Sequence, residues 1–141
     1  MMHTSGSIIA LLGLGCLFGG MVFFGTIMTP LVFTKLPPET ASLFIRATFP
    51  RYYLYVSVAA AIAALGLVLR GNLPFALILA LVLVLTLWLW QDWLPHLNSL
   101  RDSGNQTAFA RGHRLSVWLN GAQLLAVLAV LVALARGWGK G

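Results

Sequence analysis

Residues 71–91 decide the fold, because GNLPFALILALVLVLTLWLWQ contains no Lys, Arg, Asp or Glu over 21 consecutive positions. The hydrocarbon core of a bilayer is about 30 Å thick, and an α-helix needs about 20 apolar residues to cross it. Three further stretches without charge are found at residues 1–34, 52–69 and 115–135. Each stretch fits one crossing, so the sequence predicts an integral membrane protein of the all-α class, an up-down four-helix bundle.

The composition agrees with a membrane environment. Of the 141 residues, 60% are hydrophobic and 9% are charged, whereas soluble domains have about 25% charged residues. The net charge is +6, and the basic residues lie at the ends of the apolar stretches, where they meet lipid headgroups. We therefore expect the lipid bilayer as the partner, and no nucleic acid.

We interpret residues 1–141 as a single membrane domain. The first apolar stretch has no positively charged start and exceeds the apolar run of a signal peptide, which has about 7–15 residues. We expect it to be retained as a helix. The four predicted transmembrane helices cover about 7–33, 52–69, 73–94 and 113–135.

Prolines and polar residues divide these helices. Pro30 is expected to kink or break the first helix, and Pro37-Pro38 cannot continue it. The residues 41–48 are typical of an amphipathic segment lying at the membrane interface. Phe49-Pro50 is expected to end that segment and to set the angle of the second helix. The tripeptide Arg70-Gly71-Asn72 predicts a tight turn.

The predicted topology places both termini on one side of the membrane and the longer connections, 35–51 and 92–114, on the other. Basic residues are more frequent on the side of the longer connections, so the positive-inside rule places these in the cytoplasm, with the protein in the cell (inner) membrane. Four of those basic residues are also candidates for a binding site, namely Arg46, Arg51, Arg111 and Arg114. Without them, two basic residues remain on this side against three on the other. The basic residues are Lys35, Arg46, Arg51, Arg101, Arg111 and Arg114 on one side, and Arg70, Arg136 and Lys140 on the other.

The main functional signal lies on the fourth helix. His113, Ser116, Asn120 and Gln123 are spaced 3, 4 and 3 residues apart, which places them on one helix face. A polar group that faces lipid loses its hydrogen bonds, so this stripe should face the bundle interior. It would form a ligand pocket or a polar path there. Alternatively, these side chains only hold helices together, at about 0.6–2 kcal/mol for each hydrogen bond.

A cluster of cations is expected at the same end of the bundle, because antiparallel helices bring the start of the second and fourth helices together. Such a cluster suits a small anion, such as chloride, phosphate or a carboxylate, or a lipid headgroup. Alternatively, the arginines are ordinary positive residues that flank membrane helices. The residues of this cluster are Arg46, Arg51, Tyr52, Tyr55, Arg111, His113 and Arg114.

The sequence offers little for catalysis or for metal binding. His3, His96 and His113 do not show the spacing of metal ligands, and the three carboxylates form no evident acid–base pair. Cys16 is the single cysteine, so a disulfide within the chain is impossible. We therefore expect no enzyme, no metal site and no cofactor.

Two motifs together resemble the transmembrane protein 205-like family, whose bacterial members are known only as a domain of unknown function. They are Phe49-Pro50-x-Tyr52 and Phe109-x-x-x-His113-Arg114-x-Ser116-x-x-x-Asn120, and the stretch from Gly19-Gly20 to Pro30-x-x-Phe33 is similar as well. The resemblance implies a four-helix membrane protein, with a link to tolerance of metal-containing drugs. A more distant likeness is to haem-associated membrane proteins that oxidise protoporphyrinogen. Those rely on a His in the first helix, which is missing here.

We therefore predict a small transporter or channel-type protein. Arg51 and Arg114 would attract an anion, Ser116 and Asn120 would orient it, and His113 would sense pH or relay protons. Four short helices enclose little space, so we expect a homo-oligomer, a dimer packed through the Gly-rich side of the first helix. The alternatives are an accessory subunit of a larger membrane complex and a haem- or metal-associated membrane oxidoreductase.

Overall fold

The computed structural model describes residues 2–137, which form a bundle of four long helices and no strand. The four helical spans have 30 to 32 residues each and are long and apolar enough to cross a membrane. The predicted all-α four-helix fold is therefore confirmed. Helix α1 is α-helical over Met2–Phe23, π-helical over Phe24–Met28 and α-helical again over Thr29–Lys35, and helix α2 covers Pro38–Leu69. Helix α3 is α-helical over Leu73–Trp88, π-helical over Leu89–Trp93 and α-helical again over Leu94–Asp102, and helix α4 covers Gln106–Ala135.

The helices are longer than the sequence predicted. Residues 38–51, 95–102 and 106–112, which lie outside the predicted transmembrane helices, are helical. Pro50 lies inside α2 rather than at its start. A helix of about 30 residues is about 45 Å long, so these charged ends extend beyond a hydrocarbon core of about 30 Å. Short turns remain between the helices, and consecutive helices are antiparallel.

Two prolines follow π-helical segments. Proline has no backbone N–H, and its ring clashes with the carbonyl group four residues earlier. The wider π turn avoids this clash. Before Pro30, the N–H of Thr29 donates to the carbonyl oxygen of Phe24, and before Pro95, the N–H of Leu94 donates to that of Leu89. The break expected at Pro30 thus takes the form of a π segment, and α3 passes through Pro95 in the same way.

The predicted turn between α2 and α3 is confirmed. Gly71 has a φ of 81°, which suits glycine. The Asn72 side chain accepts a hydrogen bond of 3.4 Å from the backbone N–H of Phe75 and so caps α3. The turn between α3 and α4 is built alike, with Gly104 at a φ of 74° and Asn105 as the cap.

The helices α1 and α2 pack most closely, because glycines let their backbones touch. A Cβ atom added to Gly13 would lie 2.6 Å from the backbone nitrogen of Ala63, and one added to Gly66 would lie 2.3 Å from that of Ala10. In contrast, a Cβ on Gly15 or Gly19, or on Gly25, would meet no heavy atom within 4 Å. The Gly-rich side of α1 is therefore divided between an internal seam and an outer surface.

Candidate functional site

A cavity of about 370 Å³ lies among all four helices, at the end that carries the α1–α2 and α3–α4 turns. Its lining residues fall within 21–33 of α1, 45–53 of α2, 93–101 of α3 and 109–124 of α4. The charge-free stretches of α2, α3 and α4 begin or end inside or next to these ranges. The cavity therefore straddles the level at which the polar helix ends meet the apolar layer.

One wall of the cavity is aromatic. The rings of Phe24 and Tyr52 are stacked with their centroids 4.1 Å apart, and Phe49 packs edge-on against Phe24 at 5.4 Å. Tyr53 lies 5.7 Å from Phe49 and is 3% exposed. These rings join α1 to α2 and form a rigid apolar surface next to the π segment of α1.

The facing wall combines a cation with two rings. Phe109 and His113, one turn apart on α4, are stacked with their centroids 6.0 Å apart. The guanidinium carbon of Arg101 lies 4.4 Å from the centroid of the Phe109 ring, as in a cation–π contact. A nitrogen of Arg101 also donates a hydrogen bond of 3.0 Å to the hydroxyl oxygen of Ser42. Arg101 is thus held in place by α2 and α4.

The polar base of the cavity consists of Tyr53, Trp93, Ser116 and Asn120. The indole nitrogen of Trp93 donates to the hydroxyl oxygen of Ser116 at 2.9 Å. The Asn120 amide nitrogen donates to the backbone oxygen of Ser116 at 2.8 Å, and its side chain also interacts with the Tyr53 hydroxyl. Four side chains from three helices therefore offer polar atoms at the inner end of an otherwise apolar space.

The cations of the cavity wall differ in their partners. Arg46 forms an ion pair with Asp102 at the end of α3, and both carboxylate oxygens accept from its guanidinium nitrogens. Within residues 2–137, Arg101 has no carboxylate within 4.0 Å. Asp102 thus pairs directly with Arg46, whereas it acts on the neighbouring Arg101 only through space, and Arg101 keeps no direct ion pair within residues 2–137.

The structure brings half of the predicted site residues together. Those that line the cavity are Arg46, Tyr52, His113, Ser116 and Asn120, and those that do not are Arg51, Tyr55, Arg111, Arg114 and Gln123.

The residues outside the cavity have other contacts. Arg51 donates to the backbone oxygen of Ala47 on its own helix, at 2.5 Å, and is exposed. The Tyr55 hydroxyl donates to the backbone oxygen of Cys16 at 2.6 Å, next to Gly20 of α1. Arg111 borders a separate, shallower hollow between α3 and α4, and Arg114 is exposed.

Gln123 lies in the interface between α3 and α4. Its amide nitrogen donates to the hydroxyl oxygen of Thr86 at 2.9 Å and to the backbone oxygen of Val82 at 3.1 Å. The residue is 3% exposed. Its contacts are those of a side chain that holds two membrane helices together.

The sequence reasoning missed Arg101 and Trp93. The sequence did not assign Trp93 to any site, and Arg101 was interpreted as a residue of a polar connection. The signal that could have found them is their spacing, because Trp93, Leu97 and Arg101 are four residues apart and share a face if the helix continues. All three line the cavity.

Metal binding finds no support in the part of the chain that the structure describes, since residues 2–137 contain no group of three His, Cys, Asp or Glu side chains that could hold an ion. His3 was considered as a ligand from the sequence, and its side chain lies outside the described part.

A family model described as a domain of unknown function (DUF4149) matches residues 12–106, which run from α1 to the first residue of α4. No curated protein and no solved structure matches the chain. The motif from Phe109 to Asn120 lies beyond the matched range. The finer likeness to the transmembrane protein 205-like family is therefore not confirmed.

Proposed function

We propose that this chain, which belongs to the domain of unknown function family DUF4149, is a transport-type membrane protein that binds an amphiphile with an anionic head. One observation carries this proposal. Arg101, which has no carboxylate partner among the described residues, lies in the wall of a cavity that is otherwise largely aromatic and aliphatic.

The guanidinium group favours an anion as the ligand head. A cation beside apolar groups is stabilised by a charge partner, and the planar guanidinium group matches the geometry of carboxylates and phosphates. Arg101 takes the role that the sequence assigned to Arg51 and Arg114. Asn120 and the Tyr53 hydroxyl, at the polar base, would orient the ligand.

The aromatic wall favours an amphiphile over a simple ion. Chloride or inorganic phosphate would contact Arg101 and leave the rings of Phe24, Phe49 and Tyr52 uncovered. An apolar body packed against these rings would gain the free energy of burial.

Movement of the ligand is supported by the two π segments, Phe24–Met28 and Leu89–Trp93. Both contribute residues to the cavity lining, namely Phe24 and Trp93. π turns inside α-helices are frequent at functional sites and are places at which helices bend. Bending there would change the width of the cavity and so release its ligand.

The likeness to the transmembrane protein 205-like family is kept as part of the proposal. Its support is spatial, since the two motifs are distant in sequence and yet most of their residues line one cavity. These residues are Phe49, Tyr52, Phe109, His113, Ser116 and Asn120.

The test is calorimetric titration of hexyl phosphate and hexanoate into the protein in nanodiscs of uncharged lipid. Arg101→Gln should weaken binding about 12- to 150-fold, because hydrogen bonds to charged groups contribute about 1.5–3 kcal/mol. Arg114→Gln is the matched control, since it removes one charge from the same membrane end without touching the cavity. Equal losses in both variants, or no binding by the unmodified protein, would refute the proposal.

We also propose a homodimer packed through Gly15 and Gly19. Both glycines are exposed on the outer surface of α1 and form a small-xxx-small pair, which allows close approach of a second helix. Native mass spectrometry of Gly15→Ile and Gly19→Ile should show monomers where the unmodified protein is a dimer. An unchanged dimer mass would exclude this surface.

We also propose, from the positive-inside rule, that residues 35–51 and 92–114 lie on the cytoplasmic side. A cysteine placed at Ser103, in a Cys16→Ala background, should react with a membrane-impermeant thiol reagent only after the inner membrane is opened. Labelling of this cysteine in intact spheroplasts would show that the protein has the opposite orientation.

A further inference from the structure

We infer that the ligand is a single-chain amphiphile whose chain leaves the cavity sideways into the bilayer, through an opening between α1 and α4. This inference rests on the proposed function, because Arg101 would hold the head of that ligand. It adds the route and the class of the ligand, a carboxylate or phosphate monoester on one long alkyl chain.

The opening follows from the way α1 and α4 diverge. The part of α1 over Met2–Phe23 packs against α4, whereas the π segment and Thr29–Lys35 do not pack closely against it. Residues on both edges of this gap line the cavity and are exposed at the same time. They are Gly25 and Thr26 on α1, and Val117 and Gly121 on α4.

The opening faces lipid rather than water. Its α1 edge lies within the uncharged residues 1–34, and its α4 edge lies within the uncharged residues 115–135. Gly121 is seven residues beyond Arg114, which corresponds to about 10 Å along the helix. The opening therefore begins near the membrane interface and reaches about 10 Å into the apolar layer.

Small residues keep the opening clear. A Cβ atom added to Gly25 or to Gly121 would meet no heavy atom within 4 Å. Neither glycine is needed for packing within the chain, in contrast to Gly13 and Gly66. An alkyl chain can pass between Gly25 and Gly121, next to the ring of Phe24.

The size of the cavity sets the class of the ligand. Its volume of about 370 Å³ is near the lower end of small-molecule sites, which span about 300–1,000 Å³. A head group and the first part of one chain fill such a space, and the rest of the chain must lie outside it. Among the described residues that line the cavity, Arg101 is the one arginine without a carboxylate within 4.0 Å, and a single such cation suits one anionic group.

The experiment compares long and short chains on a variant that fills the opening. Gly121→Leu places a bulky side chain where there is free space, and Ala129→Leu is the matched control, an exposed small residue of the apolar layer of α4 that does not line the cavity. Binding of hexadecanoate, hexadecyl phosphate, hexanoate and hexyl phosphate is measured in nanodiscs. We expect Gly121→Leu to weaken binding of both long-chain anions by about tenfold or more. Both six-carbon anions should bind as before, and Ala129→Leu should change the binding of none of the four anions.

The other possible results distinguish a failure of the proposed opening from a failure of the proposed function. If Gly121→Leu binds the long anions normally while Arg101→Gln loses them, the opening is wrong and the proposed function survives. If the unmodified protein binds none of the four anions, the proposed function itself fails. If Gly121→Leu loses both chain lengths, Gly25→Leu on the opposite edge must show the selective loss, or the inference is overturned. If hexadecanoate binds more tightly than hexadecyl phosphate, the head of the ligand is a carboxylate, and in the opposite case it is a phosphate.

Discussion

The indole nitrogen of Trp93 donates a hydrogen bond of 2.9 Å to the hydroxyl oxygen of Ser116, and this contact joins the π segment of α3 to α4. The helices come close there because Gly112 has no side chain. A Cβ atom on Gly112 would lie 2.5 Å from a methyl carbon of Leu97. The polar base of the cavity therefore includes a closely packed contact between α3 and α4.

Ser116→Ala should lower the free energy of unfolding by about 0.6–1.7 kcal/mol, from the mean to the maximum contribution of a hydrogen bond between membrane helices. The Trp93 indole would keep only its longer contact, 3.3 Å, with the backbone oxygen of Gly112. Ser57→Ala is the matched control. Ser57 is also buried, and its hydroxyl has no hydrogen-bond partner within residues 2–137. Equal effects of the two substitutions in denaturant titrations would contradict the role of this contact between α3 and α4.

Replacing Asn120 and Gln123 separately by leucine should distinguish a ligand contact from a helix contact. Asn120 lines the cavity, so Asn120→Leu should weaken binding of hexyl phosphate by about 2- to 12-fold, as expected for one hydrogen bond. Gln123→Leu should leave binding unchanged and lower the free energy of unfolding by at most about 1.7 kcal/mol. If Gln123→Leu weakens binding as much as Asn120→Leu does, the whole stripe acts on the ligand.

Gly66→Ala should destabilise the protein by about 1–3 kcal/mol, because overpacking forces neighbouring groups apart. The added Cβ atom would lie 2.3 Å from the backbone nitrogen of Ala10, and backbone atoms cannot rotate away. Gly121→Ala adds the same atom where nothing lies within 4 Å. Thermal unfolding in detergent should therefore show a lower Tm for Gly66→Ala alone. A similar Tm for both variants would argue against the close seam of α1 and α2.

Asp102→Asn should tighten binding of the anionic amphiphile. The substitution removes the carboxylate that now pairs with Arg46, so a second guanidinium group of the cavity wall becomes available to the ligand head. Glu39→Gln removes a negative charge from the same membrane end without contact to the cavity or to Arg46. Titration of hexyl phosphate should show tighter binding for Asp102→Asn only. The same gain in both variants would point to a general effect of surface charge.

The number and the type of the helices could be predicted from the sequence, because the bilayer fixes how many apolar residues each crossing needs. The ends of the helices could not. Residues 38–51 and 106–114 are polar enough for a loop by composition, and Pro50 is usually a sign of a helix end. Here the neighbouring helix packs against this region, through Ala41 and Ile45 on Val32, and the helix continues.

The stripe on α4 was predicted as one face, and its members point in two directions. Successive residues turn by about 100° around a helix, so Ser116 and Gln123 lie about 60–80° from His113, whereas Asn120 lies within about 20° of it. Ser116 and Gln123 are buried against Trp93 and Thr86 of α3. His113 and Asn120 are less buried and line the cavity. Spacing alone identified the face, but the position of α3 decides which half of it reaches a ligand.

The close seam between α1 and α2 has a consequence for biosynthesis. Membrane proteins are made from the N-terminus, at about 5–20 residues per second, and early segments can fold before later ones exist. The hairpin of α1 and α2 holds its backbone contacts at Gly13 and Gly66 without any part of α3 or α4. The ribosome delivers α4 last, and with it Ser116 and Asn120. A defect in the seam would thus expose the nascent hairpin to proteolysis, whereas a defect in α4 would yield an inserted protein with an incomplete cavity.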